Sequence, residues 1–252
     1  MTDITRFFDS YGRQARLYPA LITLFPVFCA ALVIFPAIAT SGVASAAATI
    51  IVSFGITFLL ADLARSAGKR IEPELLRQWG GWPTTDWLRH RSGHLPAPTK
   101  ARYHAFLAGK LPTLALPTAV QEAADPTLAD DVYRSATQWL MEQTRGPEFS
   151  LVHKENANYG FRRNLLGLKP IGLTLSIVCV LVLTAIVANQ TLSLHPMRLT
   201  GLDKIQLVHV GAWLVGVASI CAWLCLGSHW VRGASDAYSR ALLACCDKLP
   251  NA

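Results

Sequence analysis

Charge is scarce in this chain, and the charge it has is bunched. Asp, Glu, Lys and Arg make up 15% of 252 residues, while 52% are hydrophobic. An ordinary soluble domain carries roughly a quarter charged residues. That deficit excludes a fully water-exposed surface. The blocks Leu17–Ala39, Ile171–Ala188 and Ile205–Trp230 carry no charge, and Val43–Leu63 carries only Asp62. Acids are scarcer than bases, 16 against 23, for a net charge of +7.

Other things are missing. There is no G-x-x-x-x-G-K-[ST], H-E-x-x-H, G-x-S-x-G or C-x-x-C, which argues against the phosphate-loop, zincin, nucleophile-elbow and dithiol chemistries those spacings serve. Six cysteines have neither disulfide-framework nor zinc spacing, as expected of a reducing compartment. No secretory signal is expected: Asp3 and Asp9 precede the first apolar block, which is too long for an h-region and is followed at once by another.

What is present is four blocks long enough for transmembrane helices, since a core of about 30 Å needs about 20 residues. The expected fold is all-α: an integral membrane protein with four transmembrane helices and an α-helical cytoplasmic domain between helices 2 and 3. Residues 1–16 make an interfacial amphipathic helix, with Ile4, Phe7, Phe8, Tyr11 and Ala15 on one face. Residues 17–63 form the first hairpin and 64–169 the cytoplasmic domain. Residues 170–230 form the second hairpin, with Pro170 in its first turn, and 231–252 a C-terminal cytoplasmic helix continuing the fourth span. Its stripe of Val231, Tyr238, Leu242, Cys245 and Leu249 is expected to pack on the cytoplasmic domain. The basic segments, including 15 Lys/Arg against 10 Asp/Glu over 64–169, place both termini and the domain in the cytoplasm at the inner (plasma) membrane.

Within 64–169, breakers predict short helices from Thr84 or Thr85, from Thr99, and over Asp125–Arg145, the last with Leu128, Val132, Trp139 and Leu140 on its apolar face. Arg89, His90, Arg91, Lys100, Arg102 and His104 could form a phosphate- or anion-binding surface, against the plainer alternative of a solvated basic face. His90 and His94 have metal-compatible helical spacing, but Gly93 between them ends the helix, so no metal site is assigned. No catalytic residue or cofactor is assigned either. Asn156, Asn158, Tyr159, Arg162 and Arg163 mark a juxtamembrane elbow able to couple the domain to the third span. Asp62, His209 and His229 are the polar residues of the spans. Asp62 is expected to pair with Arg65 at an interface.

Functionally, this plan predicts a multi-span effector or sensor, whose basic domain responds to an anionic small molecule or soluble cytoplasmic protein and whose spans form a pore. The architecture is similar to that of bacterial defence effectors that depolarise membranes, an analogy of plan alone. Four spans cannot enclose a wide aqueous route, so a homo-oligomer in the lipid bilayer is expected and a nucleic-acid partner is not. The alternatives are a membrane-anchored enzyme acting on a phosphorylated or lipid substrate through His90, His94 or Asp86, and a scaffold subunit.

Overall fold

The computed structural model describes residues 10–35, 43–194, 197–199 and 207–250, with side chains over 11–35, 59–189 and 207–250. Turns at Ser10–Gly12 and Arg13–Leu17, the second π-helical, lead into α1 (Tyr18–Ile34). There follow α2 (Val43–Trp79), α3 (Pro83–Leu88), α4 (Ala97–Lys110), α5 (Ala119–Ala124), α6 (Pro126–Gln143) and α7 (Ser150–Thr191). Strands β1 (Leu192–Leu194) and β2 (Met197–Leu199) pair antiparallel, and α8 (Leu207–Cys225) and α9 (Ser228–Leu243) complete the helices. Among the described residues, this ribbon of two three-residue strands is the only regular structure that is not helical. Contacts divide it into two units: Met1–Arg70 with Arg163–Gly227, and Ile71–Arg162 with Ser228–Ala252.

Three helices in the described residues are long and apolar enough to cross a membrane: Arg13–Ile34, Pro147–Asn189 and Leu207–Cys225. No more than 28% of each apolar window is buried. The outward residues are those that lipid tails would solvate, such as Phe25, Phe28, Leu181, Leu214 and Leu224. The other expected span, residues 43–63, is helical throughout as the first part of α2, but it is not among the three. Its side chains before Leu59, the break at residues 40–42, and Ile4, Phe7 and Phe8 lie outside the described set. The expected interfacial helix is, in its described part, continuous with α1, and Ala15 is buried.

In the first unit, Ala30, Cys179, Leu183 and Ala212 form an apolar cluster joining α1, α7 and α8. A second node is made by close backbone approach. A Cβ on Gly167 would lie 2.5 Å from the Ala67 carbonyl carbon and 2.6 Å from the Gly68 nitrogen, so only glycine lets α7 and α2 touch there. Beside it, the buried Asn164 amide donates to the Ala15 carbonyl at 2.8 Å. The segments around Ala15, Gly68 and Asn164 are thereby held at one level.

Two expectations fail along α7 and α8. The segment from Asn156 to Asn164 is not an elbow: it lies inside the 42-residue α7, which continues through Pro170. Pro170 lacks an N–H and so leaves one carbonyl unpaired, a defect that apolar helices tolerate better than a break exposing several. Nor does the fourth span run into the tail. α8 ends at Cys225, and α9 begins at Ser228 after Leu226–Gly227.

The second unit has its own core of Trp87, Leu88, Tyr103, Leu107, Tyr133, Ala136, Leu140, Val152, Leu242, Leu243, Cys245 and Cys246. Its first corner is a Schellman turn. Gly80 and Gly81 have φ of 75° and 120°, and their N–H groups donate to Arg77 and Leu76 carbonyls at 3.4 and 2.9 Å. Trp82 then caps α3 with Pro83 at its first position, so Thr84 and Thr85 are buried in the helix rather than capping it. The short α5 starts with a capping box between Thr118 and Gln121. Asp125 caps α6 by accepting from Leu128 N–H at 3.0 Å. The buried face of α6 is Ala129, Tyr133, Ala136, Thr137 and Leu140. It is rotated from the expected stripe, and Leu128 is 62% exposed. Most of the tail stripe packs into this core as expected: Leu242 and Cys245 belong to it and Tyr238 and Leu249 pack against it, while Val231 is buried as well.

Gly167→Val should overpack the α2–α7 contact by about 1–3 kcal/mol and lower the Tm of the detergent-solubilised chain by roughly 5 °C. Gly109→Ala, which adds a Cβ into open space, should not lower it. Equal Tm values for the two variants would refute the close approach.

Candidate functional site

The six expected anion-binding residues all lie in the second unit, and the structure turns most of their donors inward. Arg89 is 8% exposed. Its guanidinium grips Asp130 through Nε at 2.7 Å and Nη2 at 2.6 Å, and donates to the Gly80 carbonyl at 2.8 Å and Asp86 at 3.3 Å. The Asp130 hydrogen bonds raise its pKa further. Lys100 is also buried, and its Nζ donates to the carbonyls of Arg89, His90 and Ser92. Burial lowers its pKa, against the opposing pull of Glu122 and Asp86. Arg102 forms a two-pronged pair with Asp247 at 2.7 and 3.0 Å. The rings of His90 and His104 meet the carbonyls of Pro117 and Leu88. These interactions replace the open phosphate surface: a cation already holding a carboxylate or three carbonyls has little left for a ligand.

The group that organises this region is one the sequence reading passed over. Glu122 is 2% exposed. Its carboxylate accepts from the N–H of His90 at 2.6 Å, the N–H of Arg91 at 3.2 Å, Arg91 Nη1 at 3.1 Å and the Tyr133 hydroxyl at 2.8 Å. Burial works to raise its pKa. The bonds from His90 N–H, Tyr133 and Arg91 N–H, with the Arg91 charge, outweigh burial and leave it below the ordinary value. Glu122 thus holds the amides of residues 90–91 while Lys100 holds the carbonyls of 89, 90 and 92. The loop that looked like a ligand cradle is clamped on both polarities. A shallow cavity of about 500 Å³ opens beside it, lined by His90, Arg91, Ala119, Glu122, Ala123 and Pro126. His104, edge-on to His90 at 4.8 Å, has its pKa lowered chiefly by burial.

A second cluster ties α3 to α9. Asp86 accepts from Arg232 at 3.0 Å and lies 3.3 Å from His94 Nε2. The indole N–H of Trp87 donates to Asp236 at 3.2 Å. The Trp87 ring stacks on His94 at 5.1 Å, and Arg240 lies 5.4 Å from its centroid. His90 and His94 are therefore engaged with different partners, on a loop rather than a helix.

The residues assigned to coupling serve helix packing instead of an elbow. In the second unit, Arg162 donates to the Trp230 carbonyl at 2.8 Å and lies over its ring at 4.9 Å. The Tyr159 hydroxyl meets Glu72 at 3.2 Å, and Asn158 reaches Glu155 at 3.4 Å. Asn156 is half-buried. In the first unit, Arg163 is buried and donates to Asn164.

Of the span polar residues, Asp62 is exposed, and no ion pair joins it to Arg65 among the described residues. His229 belongs to α9, outside the span, and is exposed. His209 is buried in α8, and its Nδ1 has no hydrogen-bond partner. Below it, α7 and α8 share polar contacts: Trp213 Nε1 donates to Thr184 at 3.0 Å, and Ser176 to Ser219 at 3.2 Å. At the far end, Lys169 donates to the Leu226 carbonyl at 2.7 Å, where α8 stops. Polar periodicity along α7 and α8 was the available signal for this seam.

No family model matches the chain, and neither a curated protein nor a solved structure matches it.

Acid should loosen the 89–92 loop in two stages. A buried histidine with a lowered pKa costs stability once pH falls below its unfolded value near 6.5, and a carboxylate with a lowered pKa loses its contribution as pH falls below about 4 through the folded value. Glu122→Gln should remove the second stage and destabilise the unit by about 3 kcal/mol at pH 7, the scale of breaking a buried charged network. Hydrogen exchange of the peptide spanning 89–92 reads this directly. Unchanged protection in the variant would mean that Glu122 is not the clamp.

Proposed function

We propose that this chain is a multi-pass inner-membrane effector or sensor that acts as a homo-oligomer. Its helical unit lies in the cytoplasm with both termini, and the apolar blocks act as four spans that alter membrane permeability when that unit receives a signal. The observation that carries this reading is the polar seam between α7 and α8. Spans that only anchored a domain could pack through apolar side chains alone, and polar groups at membrane depth are a functional hypothesis by default. Here Ser176–Ser219 and Trp213–Thr184 join one helix pair, and His209 is buried on α8 with its Nδ1 unpaired.

Helix continuity supports coupling. The division at residues 70 and 71 falls within α2, and that at 162 and 163 within α7. These two of the three crossings are helical backbone, which suits transmission of a movement; the third, at residues 227 and 228, follows the break between α8 and α9.

A soluble protein fits the trigger better than an anionic metabolite. The six expected ligand groups are committed within the unit, whereas Val120 on α5 and Leu128 on α6 are 79% and 62% exposed. The same two residues favour a scaffold subunit as the second reading.

Induced expression should collapse the membrane potential reported by a voltage-sensitive dye, and His209→Leu should weaken that effect severalfold at equal membrane abundance. An unchanged potential with the wild-type chain confirmed in the membrane would discard the permeability role and leave the scaffold. For orientation, a cysteine in place of the exposed Arg145 should resist an impermeant maleimide in intact cells and react after lysis. Labelling in intact cells would reverse the topology.

A further inference from the structure

The net charge is not where the sequence division placed it. The second unit holds 13 Lys/Arg against 12 Asp/Glu, while the first, apolar unit holds 10 against 4. Nearly all of the +7 therefore belongs to the unit that carries the apolar helices. Within it, most of the cations converge on one level. Arg13 and Arg16 flank Ala15, Arg65, Lys69 and Arg70 flank Gly68, and Lys169 follows Asn164 by five residues. These three segments are pinned together by the Asn164–Ala15 hydrogen bond and the Gly167–Gly68 backbone contact. Arg13, Arg65, Lys69 and Arg70 are exposed, and Arg16 and Lys169 half-buried. Asp62 is the one acid among the described side chains of this unit.

The collar sits where the surface changes character. On α2, exposed Leu59 and Leu63 precede Arg65. On α1, exposed Tyr18, Leu21 and Ile22 follow Arg16. A ring of cations one turn beyond lipid-type side chains matches the depth of phospholipid headgroups.

We propose that this collar is a binding surface for anionic phospholipid headgroups, selecting them over zwitterionic ones. It rests on the membrane reading above, and charge complementarity decides the occupant. A zwitterionic headgroup brings its own cation to a ring that already has six. An anionic one neutralises the ring without adding a positive charge. Orientation bias alone would need the cations only on the correct side. It would not require three segments to be locked at one height by a glycine contact and a buried asparagine.

The test reconstitutes the full chain into nanodiscs of equal phosphatidylglycerol and phosphatidylcholine with matched acyl chains, and counts retained lipids by native mass spectrometry. The wild type should retain phosphatidylglycerol over phosphatidylcholine by about fivefold or more, the scale expected for even one well-placed cation at an anionic surface. The triple variant Arg13→Gln, Arg65→Gln, Arg70→Gln should fall towards parity. Arg77→Gln, Arg134→Gln, Arg145→Gln, drawn from the other unit, should keep the preference. If the collar triple fails to fold by circular dichroism, each single variant reads the same ratio. Excess inorganic phosphate should leave the ratio unchanged, and its loss would replace the lipid surface with a free-phosphate site. Parity in a wild type that enters nanodiscs sinks this proposal alone. A chain that stays dispersed in buffer and enters no nanodisc sinks the membrane reading itself.

Discussion

A backbone amide or carbonyl left without a partner in an apolar surrounding costs several kcal/mol, and the long apolar helices of this fold keep theirs paired. That cost suits the persistence of α7, 42 residues long, through Gly167 and Pro170, where side-chain propensity alone disfavours a helix. Glycine within such a helix does more than avoid breaking it. At Gly167 it brings two backbones into contact, and the neighbouring Asn164 spends its amide on a third segment. The cations are carried by these same segments, so the packing of the apolar unit sets where its charge emerges.

The second unit obeys a different rule. Its charges are nearly balanced and largely turned on one another: Arg89 with Asp130, Arg232 with Asp86 and Asp236, Arg91 with Glu122. Replacing one member would leave a buried charge without compensation, a larger loss than the pair's own worth. The clamp of Glu122 and Lys100 on residues 89–92 makes that loop a fixed wall of the core rather than an adaptable cradle.

Much of the helical content was legible in the amino-acid sequence, because apolar blocks and the cap at Asp125 are local signals. Four features were not. Pro170 reads locally as a helix start, and only the preference for unbroken backbone makes it an interior residue. The Thr118–Gln121 box was present and unread, since α5 is six residues long and carries no apolar period. The excess charge of the middle segment came from where the line was drawn. Arg65, Lys69, Arg70, Arg163 and Lys169 lie on the stretches of α2 and α7 that belong to the apolar unit, a fact of tertiary contact that composition does not hold. Glu122 escaped for the same reason: nothing near it in sequence announces donors from residues 90, 91 and 133.

The core of the second unit draws on both sides of the α7–α8 hairpin. Leu242, Leu243, Cys245 and Cys246 share a core with residues from Trp87 to Val152, encoded far earlier in the chain. A ribosome will therefore have released residues 71–162 well before the helix that completes their core exists. Throughout that interval Leu107, Tyr133 and Leu140 have no finished interior to enter. This ordering makes the unit dependent on timely synthesis of α8 and α9, and makes a chaperone-protected intermediate a natural stage of its biogenesis.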